Sequence, residues 1–323
     1  HQAGCAPIYV IGETTSPAPR ARALGIGITL TSTIPEPRES ALLVDGGVLV
    51  ETSDLRQVIE RGGPLFATNG APLPVAMTAD NAVPVSGGKV ATLITDAASA
   101  REAERRFWAS LASSADGIVD RFLYRPLGRY LSKILVRTSF SPNQVSIAST
   151  LIGILSGSFF ATGYSISGAL LLQLSAIVDC VDGDLARALY KESRLGKWLD
   201  LVGDQFVHVA VFAGIGFGLA RSNPGSPALM LGISAVLGTI ISFAVIVRFM
   251  HRKNGRKSSS LEKMIDATTN RDFSLLVLLL AMIGKLNLFL WMAGIGVHLF
   301  WIIVLRLQRQ DAGRASAISR KSA

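Results

Sequence analysis

Residues 179–204 read D-C-V-D-G-D-L-A-R-A-L-Y-K-E-S-R-L-G-K-W-L-D-L-V-G-D. Asp179 and Asp182 stand three apart, and Asp200 and Asp204 four apart. On helices each pair shares one face, its carboxylates about a turn from each other. Both pairs adjoin long apolar runs, where an ionisable side chain is costly and marks function by default. Four crowded carboxylates repel one another and take up protons unless positive charge sits among them. Divalent cations held by oxygen ligands, magnesium or manganese, are the natural occupants. Gly183 and Gly196 lack side chains, so backbone or ligand can come close, and Arg187 offers a planar fork of donors to a phosphate. Cations, an arginine and a spare carboxylate are the equipment of phosphoryl-type transfer, where catalysis is mostly positioning and charge neutralisation.

The surrounding chain is apolar. Of 323 residues, 49% are hydrophobic, and the mean hydropathy is +0.41. That is too high for an ordinary soluble domain of this size and is expected of several membrane spans. The first 115 or so residues are mixed and rich in Gly, Pro and Thr, whereas the apolar runs fall between 140 and 306. Six spans are predicted, at 142–161, 166–188, 196–220, 228–250, 273–283 and 286–305, the fifth being the shortest. Basic residues gather at 187–197, 248–263 and 306–321, while the opposite loops carry only Arg221 and Lys285. The net charge of +9 is therefore read as a topology signal, and no nucleic-acid partner is expected. This polarity puts the N-terminal domain, the acidic stretch and the C terminus in the cytoplasm. The carboxylates then lie near the interface, where a water-soluble phosphate compound can reach them.

Four regions follow: a small cytoplasmic α/β domain over 1–112, an amphipathic juxtamembrane helix over 113–138, the membrane domain over 139–310 and a basic tail over 311–323. In the first, short apolar stretches at 8–11, 25–30, 41–44, 48–50, 73–77 and 90–94 read as strands, and 54–61 and 96–112 as helices. Gly46-Gly47 has the look of a hairpin turn, and no G-x-x-x-x-G-K-[ST] loop occurs. Along 114–138, Arg121, Arg125, Arg129, Lys133 and Arg137 recur every fourth residue, interleaved with Ile118, Phe122, Leu123, Leu127, Leu131, Ile134 and Leu135. Such a helix lies along a membrane surface with its cations toward the headgroups, and Pro126 is placed to kink it. The two cysteines, Cys5 and Cys180, suggest no disulfide framework. The chain begins at His1, not Met, and its start lacks the pattern of a signal peptide.

Residues 179–204 match at every fixed position the signature of the CDP-alcohol phosphotransferase (CDP-alcohol phosphatidyltransferase) family, D-x2-D-G-x2-A-R-x8-G-x3-D-x3-D. The fixed positions are Asp179, Asp182, Gly183, Ala186, Arg187, Gly196, Asp200 and Asp204. S-P-N-Q-V-S at 141–146 resembles the family's opening of the first span. D-G-I-V-D-R-F-L-Y-R-P at 116–126 resembles the surface helix of members that make di-inositol phosphate phosphate or phosphatidylinositol phosphate. Residues 1–112 are similar to the degenerate cytidylyltransferase remnant of some members. The resemblance implies an all-α integral membrane bundle of six transmembrane helices, assembled as a homodimer. It also implies a magnesium- or manganese-dependent transfer of a phospho-alcohol group from a CDP-linked donor, of the CDP-diacylglycerol or CDP-inositol type, to a hydroxyl acceptor with release of CMP. Inositol and inositol phosphate are the acceptors it suggests. Asp179, Asp182, Asp200 and Asp204 would hold metal, with Asp204 as general base. Gly183, Ala186, Arg187 and Gly196 would hold the CDP moiety. Where relatives using inositol phosphate often follow the last aspartate with Arg, this chain has Gln205. His208, one turn on, reads as a packed histidine or as part of an acceptor pocket, and Asp184 as solvated or paired with a nearby cation.

Two other classes use intramembrane acids. Membrane prenyltransferases bind diphosphate through aspartate-rich metal motifs, but the G-x2-A-R spacing and the closely following second pair disfavour that reading. Ion carriers place carboxylates at the midplane between opposed half-helices, which this pattern does not suggest.

Overall fold

The computed structural model describes residues 8–11, 27–31, 41–78, 83–111, 117–252 and 273–321, and side chains within these except at 249–252 and 308–321. Contacts divide the chain into two units, His1–Ala112 and Ser113–Ala323.

In the first unit, short strands pair two by two. β1 (Tyr9–Ile11) runs parallel to β2 (Thr29–Thr31). β3 (Leu42–Val44) and β4 (Val48–Leu49) find separate antiparallel partners, β6 (Val75–Met77) and β8 (Thr92–Leu93). Residues 46–47 are thus a turn but not a hairpin, because the strands on either side pair elsewhere. β5 (Gly62–Phe66) and β7 (Val83–Ser86) form a parallel pair that the sequence reading misses. Their Gly-Gly-Pro and Val-Pro-Val composition reads as turn, since proline cannot donate to a ladder. Gly63 is needed there: a Cβ would lie 1.8 Å from the Val83 carbonyl oxygen. The strand expected at 25–30 begins outside the described residues and overlaps β2. The helix α1 (Thr52–Arg61) starts two residues earlier than expected. Asp54 accepts from the Glu51 N–H at 3.2 Å, and Gly62 closes the helix at φ 73°. The helix α2 (Ala97–Ser110) opens on Asp96, which accepts from Ser99 N at 2.7 Å and Ala98 N at 3.0 Å. The Ser99 backbone and hydroxyl bonds hold the Asp96 carboxyl below its usual pKa. Val58, Leu65, Leu73, Val75, Val85 and Ala91 form the core of this unit.

The second unit is helical. Residues 118–135 form one run, in which a wide π-turn at Asp120–Tyr124 precedes α3 (Arg125–Leu135). Pro126 does not break this run. Its missing N–H and bulky ring are absorbed by the wider turn, where the Arg125 N–H bonds the Asp120 carbonyl. Ile118, Phe122, Leu127 and Tyr130 are exposed along it, as suits an interfacial helix. The face turned to the bundle is a different one: Tyr124, Gly128 and Ser132 are buried, four apart. Gly128 lies so close to α5 (Ser165–Ala188) that a Cβ would sit 3.2 Å from that of Cys180.

Among the described residues, five helices are long and apolar enough to cross a membrane: α4 (Pro142–Ala161), α5, α6 (Arg194–Ser222), α7 (Ala228–Arg252) and α9 (Leu286–Lys321). The helix α4 opens as its S-P-N-Q sequence dictates. Ser141 accepts from Gln144 N, the Gln144 side chain accepts from Ser141 N at 2.9 Å, and Pro142 takes the first turn. At the fifth expected span stands α8 (Phe273–Met282), whose 10 residues cover about 15 Å, half of a hydrocarbon core. The preceding basic stretch lies largely outside the described residues, and the C-terminal tail continues α9 to Lys321.

The packing sets up the site. α4 lies along both α5 and α6, which hardly touch each other. Small residues let α4 and α6 meet: a Cβ on Gly214 would be 2.1 Å from the Gly157 carbonyl oxygen. α3 and α8 pack on α5, α7 on α6, and α9 on α7.

Candidate active site

α5 carries Asp179 and Asp182 in its last ten residues and α6 carries Asp200 and Asp204 in its first eleven. The two helices run in opposite directions from a short connection, so both pairs fall at the same end. Because α4 holds α5 and α6 apart, the acids face each other across a gap and are not packed into a seam. Asp179, Asp200 and Asp204 each offer a carboxylate oxygen, and these lie within 4.8 Å of one another. Three oxygens each about 2.1 Å from a common cation can be at most about 3.6 Å from one another when evenly spread. The three carboxylates therefore fit a shared magnesium or manganese after their separations close by up to roughly 1.2 Å. Asp182 stands outside this trio, although the sequence groups all four acids. Its Oδ2 accepts from the Ser146 hydroxyl of α4. Ser149, one turn further along α4, donates to Asp179 Oδ1 at 3.3 Å. These two serines orient the α5 acids; their spacing of three matches that of Asp179 and Asp182, the one signal in the sequence that could have found them.

The other signature residues sit close by. Gly183 accommodates Arg187: a Cβ there would be 3.3 Å from Nη2 of the arginine, whose guanidinium folds back along α5. Arg187 Nη2 donates to Asp184 Oδ1 at 2.9 Å. Asp184 is not solvated; it is 1% exposed and also accepts from Arg125 Nη1 at 2.7 Å. Arg125 is therefore not the headgroup-facing cation that the four-residue repeat predicts, because a buried carboxylate claims it. Ala186 is half-buried one turn beyond Asp182. Gly196 receives the cap of α6, its N–H donating to Ser193 Oγ at 2.9 Å, and its missing side chain leaves room for Asn143 Oδ1. Between α5 and α6, Tyr190 sits at φ 54°. Lys191 N bonds the Ala186 carbonyl at 2.8 Å, so a tyrosine closes α5 where glycine is usual.

Past the acids a narrow cleft opens between α4, α5, α6 and α8. Asp179 and Asp204 stand at its polar end; Leu172, Val207, His208 and Phe273 line the remainder. His208 is packed: its ring lies 5.1 Å from that of Phe273 and 6.1 Å from that of Phe212, and it lines the cleft. Behind Ser274, at the cleft wall, a buried network joins Tyr124, Gln173 and Ser274. Gln173 Nε2 donates to the Ser274 carbonyl at 2.7 Å, and the Tyr124 hydroxyl contacts both other side chains. Periodicity cannot reveal this network, because its three members come from three separate elements.

A helical bundle with helices apolar enough to cross a membrane and an acid-lined cleft defines a class of membrane protein able to handle charged groups. Residues 139–305 match the family model for CDP-alcohol phosphatidyltransferases, 167 of the 323 residues, and the chain belongs to that family. It is 36% identical over 98 residues, 30% of its length, to the bifunctional IPC transferase and DIPP synthase of Thermococcus kodakarensis, and covers 22% of that protein. It is 30% identical over 130 residues to the phosphatidylinositol phosphate synthase of Mycobacteroides abscessus, covering 39% of this chain and 59% of that one. The chain thus matches about a quarter of the length of the bifunctional relatives. The crystal structure of Mycobacterium tuberculosis phosphatidylinositol phosphate synthase with CDP-DAG bound is similar at a TM-score of 0.43 and 17% identity, over 56% of this chain and 92% of that one.

Proposed function

We propose that this protein transfers a phospho-alcohol group from a CDP-linked donor to a hydroxyl acceptor, releasing CMP. The observation that carries the reading is the convergence of Asp179, Asp200 and Asp204 across the gap between α5 and α6, within a family signature matched at every fixed position. Asp182, oriented by Ser146, is the fourth acid of the metal set. A bound divalent ion would neutralise the donor's diphosphate and polarise its phosphorus. Gly183, Ala186 and Gly196 give the CDP moiety a close backbone approach, and Arg187 meets its phosphates. The acceptor oxygen bonds to the phosphorus bearing the alcohol as the anhydride bond to CMP breaks. CMP leaves with the bonding pair, and the hydroxyl proton goes to Asp204.

The reading extends to six crossings, with residues 273–282 as the described part of the fifth, and to a homodimer. The N-terminal domain, the acids and the C terminus are assigned to the cytoplasm on the strength of the basic loops. Donors of the CDP-diacylglycerol or CDP-inositol type suit the site. Relatives named as phosphatidylinositol phosphate synthases support an inositol or inositol phosphate acceptor, with Gln205 lowering the positive charge offered to the phosphorylated one.

The test is to supply purified protein with CDP-diacylglycerol or CDP-inositol and a panel of alcohols, following CMP release and product mass. Chelation is expected to abolish CMP release, and added magnesium or manganese to restore it. Undiminished release in excess chelator would sink the metal assignment, and no CMP from any pair would sink the function.

A further inference from the structure

We propose that Arg125 is a positioning residue for Arg187, acting through Asp184. The proposal rests on the reading of Arg187 as a ligand of the donor's phosphates. Neither Arg125 nor Asp184 occupies a fixed position of the signature, and they lie 59 residues apart in the chain. In the structure, one oxygen of Asp184 accepts from both arginines, from Arg125 Nη1 at 2.7 Å and Arg187 Nη2 at 2.9 Å. The side chains of Asp184, Arg125 and Arg187 are 1%, 11% and 30% exposed. Breaking a buried ion pair by removing one partner is costly, and charge-assisted bonds fix their partners' geometry.

Two consequences follow for Arg187. An arginine on the last turn of a helix has many rotamers. Here Asp184 holds the guanidinium from one side, and the open space at Gly183 receives it on the other. Its Nε is buried and has no hydrogen-bond partner among the described residues, so the group keeps donor capacity while pinned. The second consequence is electrostatic. Two guanidiniums on one carboxylate oxygen share its negative charge, so Asp184 is not spent on Arg187 alone. With Arg125 removed, Asp184 would neutralise Arg187 alone and pull its charge away from a phosphate. Arg125 thus keeps Arg187 both held in place and cationic.

The test is a double-mutant cycle on the full chain in detergent, reading the affinity of CDP with magnesium by calorimetry, which needs no turnover. Arg125→Ala is expected to weaken CDP about tenfold, with Arg125→Lys recovering part of that loss. Added to Arg187→Ala, it should change affinity by less than about twofold, since nothing is left to position. Steady-state rates should show the donor KM rising while the acceptor KM holds. Losses that multiply in the double variant, or an Arg125→Ala affinity within about twofold of wild type, would overturn the proposal. If Arg125→Ala does not fold, Arg125→Lys with and without Arg187 gives the same comparison. A wild type that binds no CDP removes the functional reading and this proposal with it; multiplying losses in a protein that binds CDP remove the proposal alone.

Discussion

Asp204 lies one turn deeper along α6 than Asp200 and lines the cleft with Val207 and His208, sharing its acidic end with Asp179; this is the side from which the proposed acceptor would arrive. Asp179 and Asp182 adjoin the Gly183–Arg187 segment assigned to the nucleotide. A base must reach the acceptor proton as the bond to phosphorus forms, and positioned proton transfer contributes about 10²–10⁴ in rate. Asp204→Asn should therefore lower turnover by about that factor, beyond whatever donor affinity it loses as a member of the acid trio. Asp179→Asn and Asp182→Asn should weaken metal-dependent donor binding and turnover together. Titrating donor affinity and initial rate in one preparation separates the two; if Asp204→Asn lost donor and metal binding as fully as Asp182→Asn, the base would lie elsewhere. At this scale the signature acids and glycines were legible because chemistry fixes their spacing. The pairing of Arg125 with Asp184 was not: Arg125 shares the four-residue repeat of the exposed cations, and only the path of α3 across α5 singles it out.

The elements that aim these residues are set by small side chains. α4 separates α5 from α6, and its approach to α6 depends on Gly157 and Gly214. A valine at 214 would drive Cβ into the Gly157 carbonyl, 2.1 Å away, a backbone atom that cannot rotate aside. Overpacking of this kind costs about 1–3 kcal/mol. It would also move α4, and with it Ser146, Ser149 and the opposed carboxylates. Gly214→Val should thus lower the thermal midpoint in detergent and reduce CMP release at least tenfold, roughly the effect of a misplaced catalytic constellation. Gly296→Ala, on α9 with nothing within 4 Å of the added methyl, should leave both unchanged; equal losses at the two sites would show that the seam is not what matters. The long spans were readable from apolar length alone. The bundle-facing side of the interfacial helix was not, because hydropathy pointed to Ile118 and Phe122 and the packed stripe is Tyr124, Gly128 and Ser132. β5 and β7 were hidden for a related reason: glycine and proline read as turns until a parallel partner is in place.

At the scale of the whole chain the two units differ in how much chemistry they carry. The second holds the signature, the acid trio and the cleft. The first has strands of two to five residues in separate pairs and a core of six buried apolar side chains. Nucleotide-binding α/β domains cradle phosphates with a glycine-rich loop at a helix N-terminus, where backbone N–H groups and the helix dipole converge. In this unit the N-terminus of α1 is taken by Glu51 and Asp54. Asp54 turns inward, its Oδ1 accepting from Gly88 N at 2.9 Å, and its negative charge disfavours a phosphate at that position. The N-terminus of α2 is closed by Asp96, whose carboxylate takes the N–H groups of Ala98 and Ser99 that an anion would need. Both helix starts are therefore occupied by acids of the chain itself. The expected outcome is that the full chain, in a preparation that releases CMP from a CDP-linked donor, makes no pyrophosphate from CTP and a polyol or sugar phosphate. The measurement is a coupled pyrophosphate assay run beside the CMP assay on the same sample. Pyrophosphate that depends on the polyol phosphate, persists in Asp204→Asn and is lost on altering residues 1–112 would overturn this reading and make the first unit a working cytidylyltransferase.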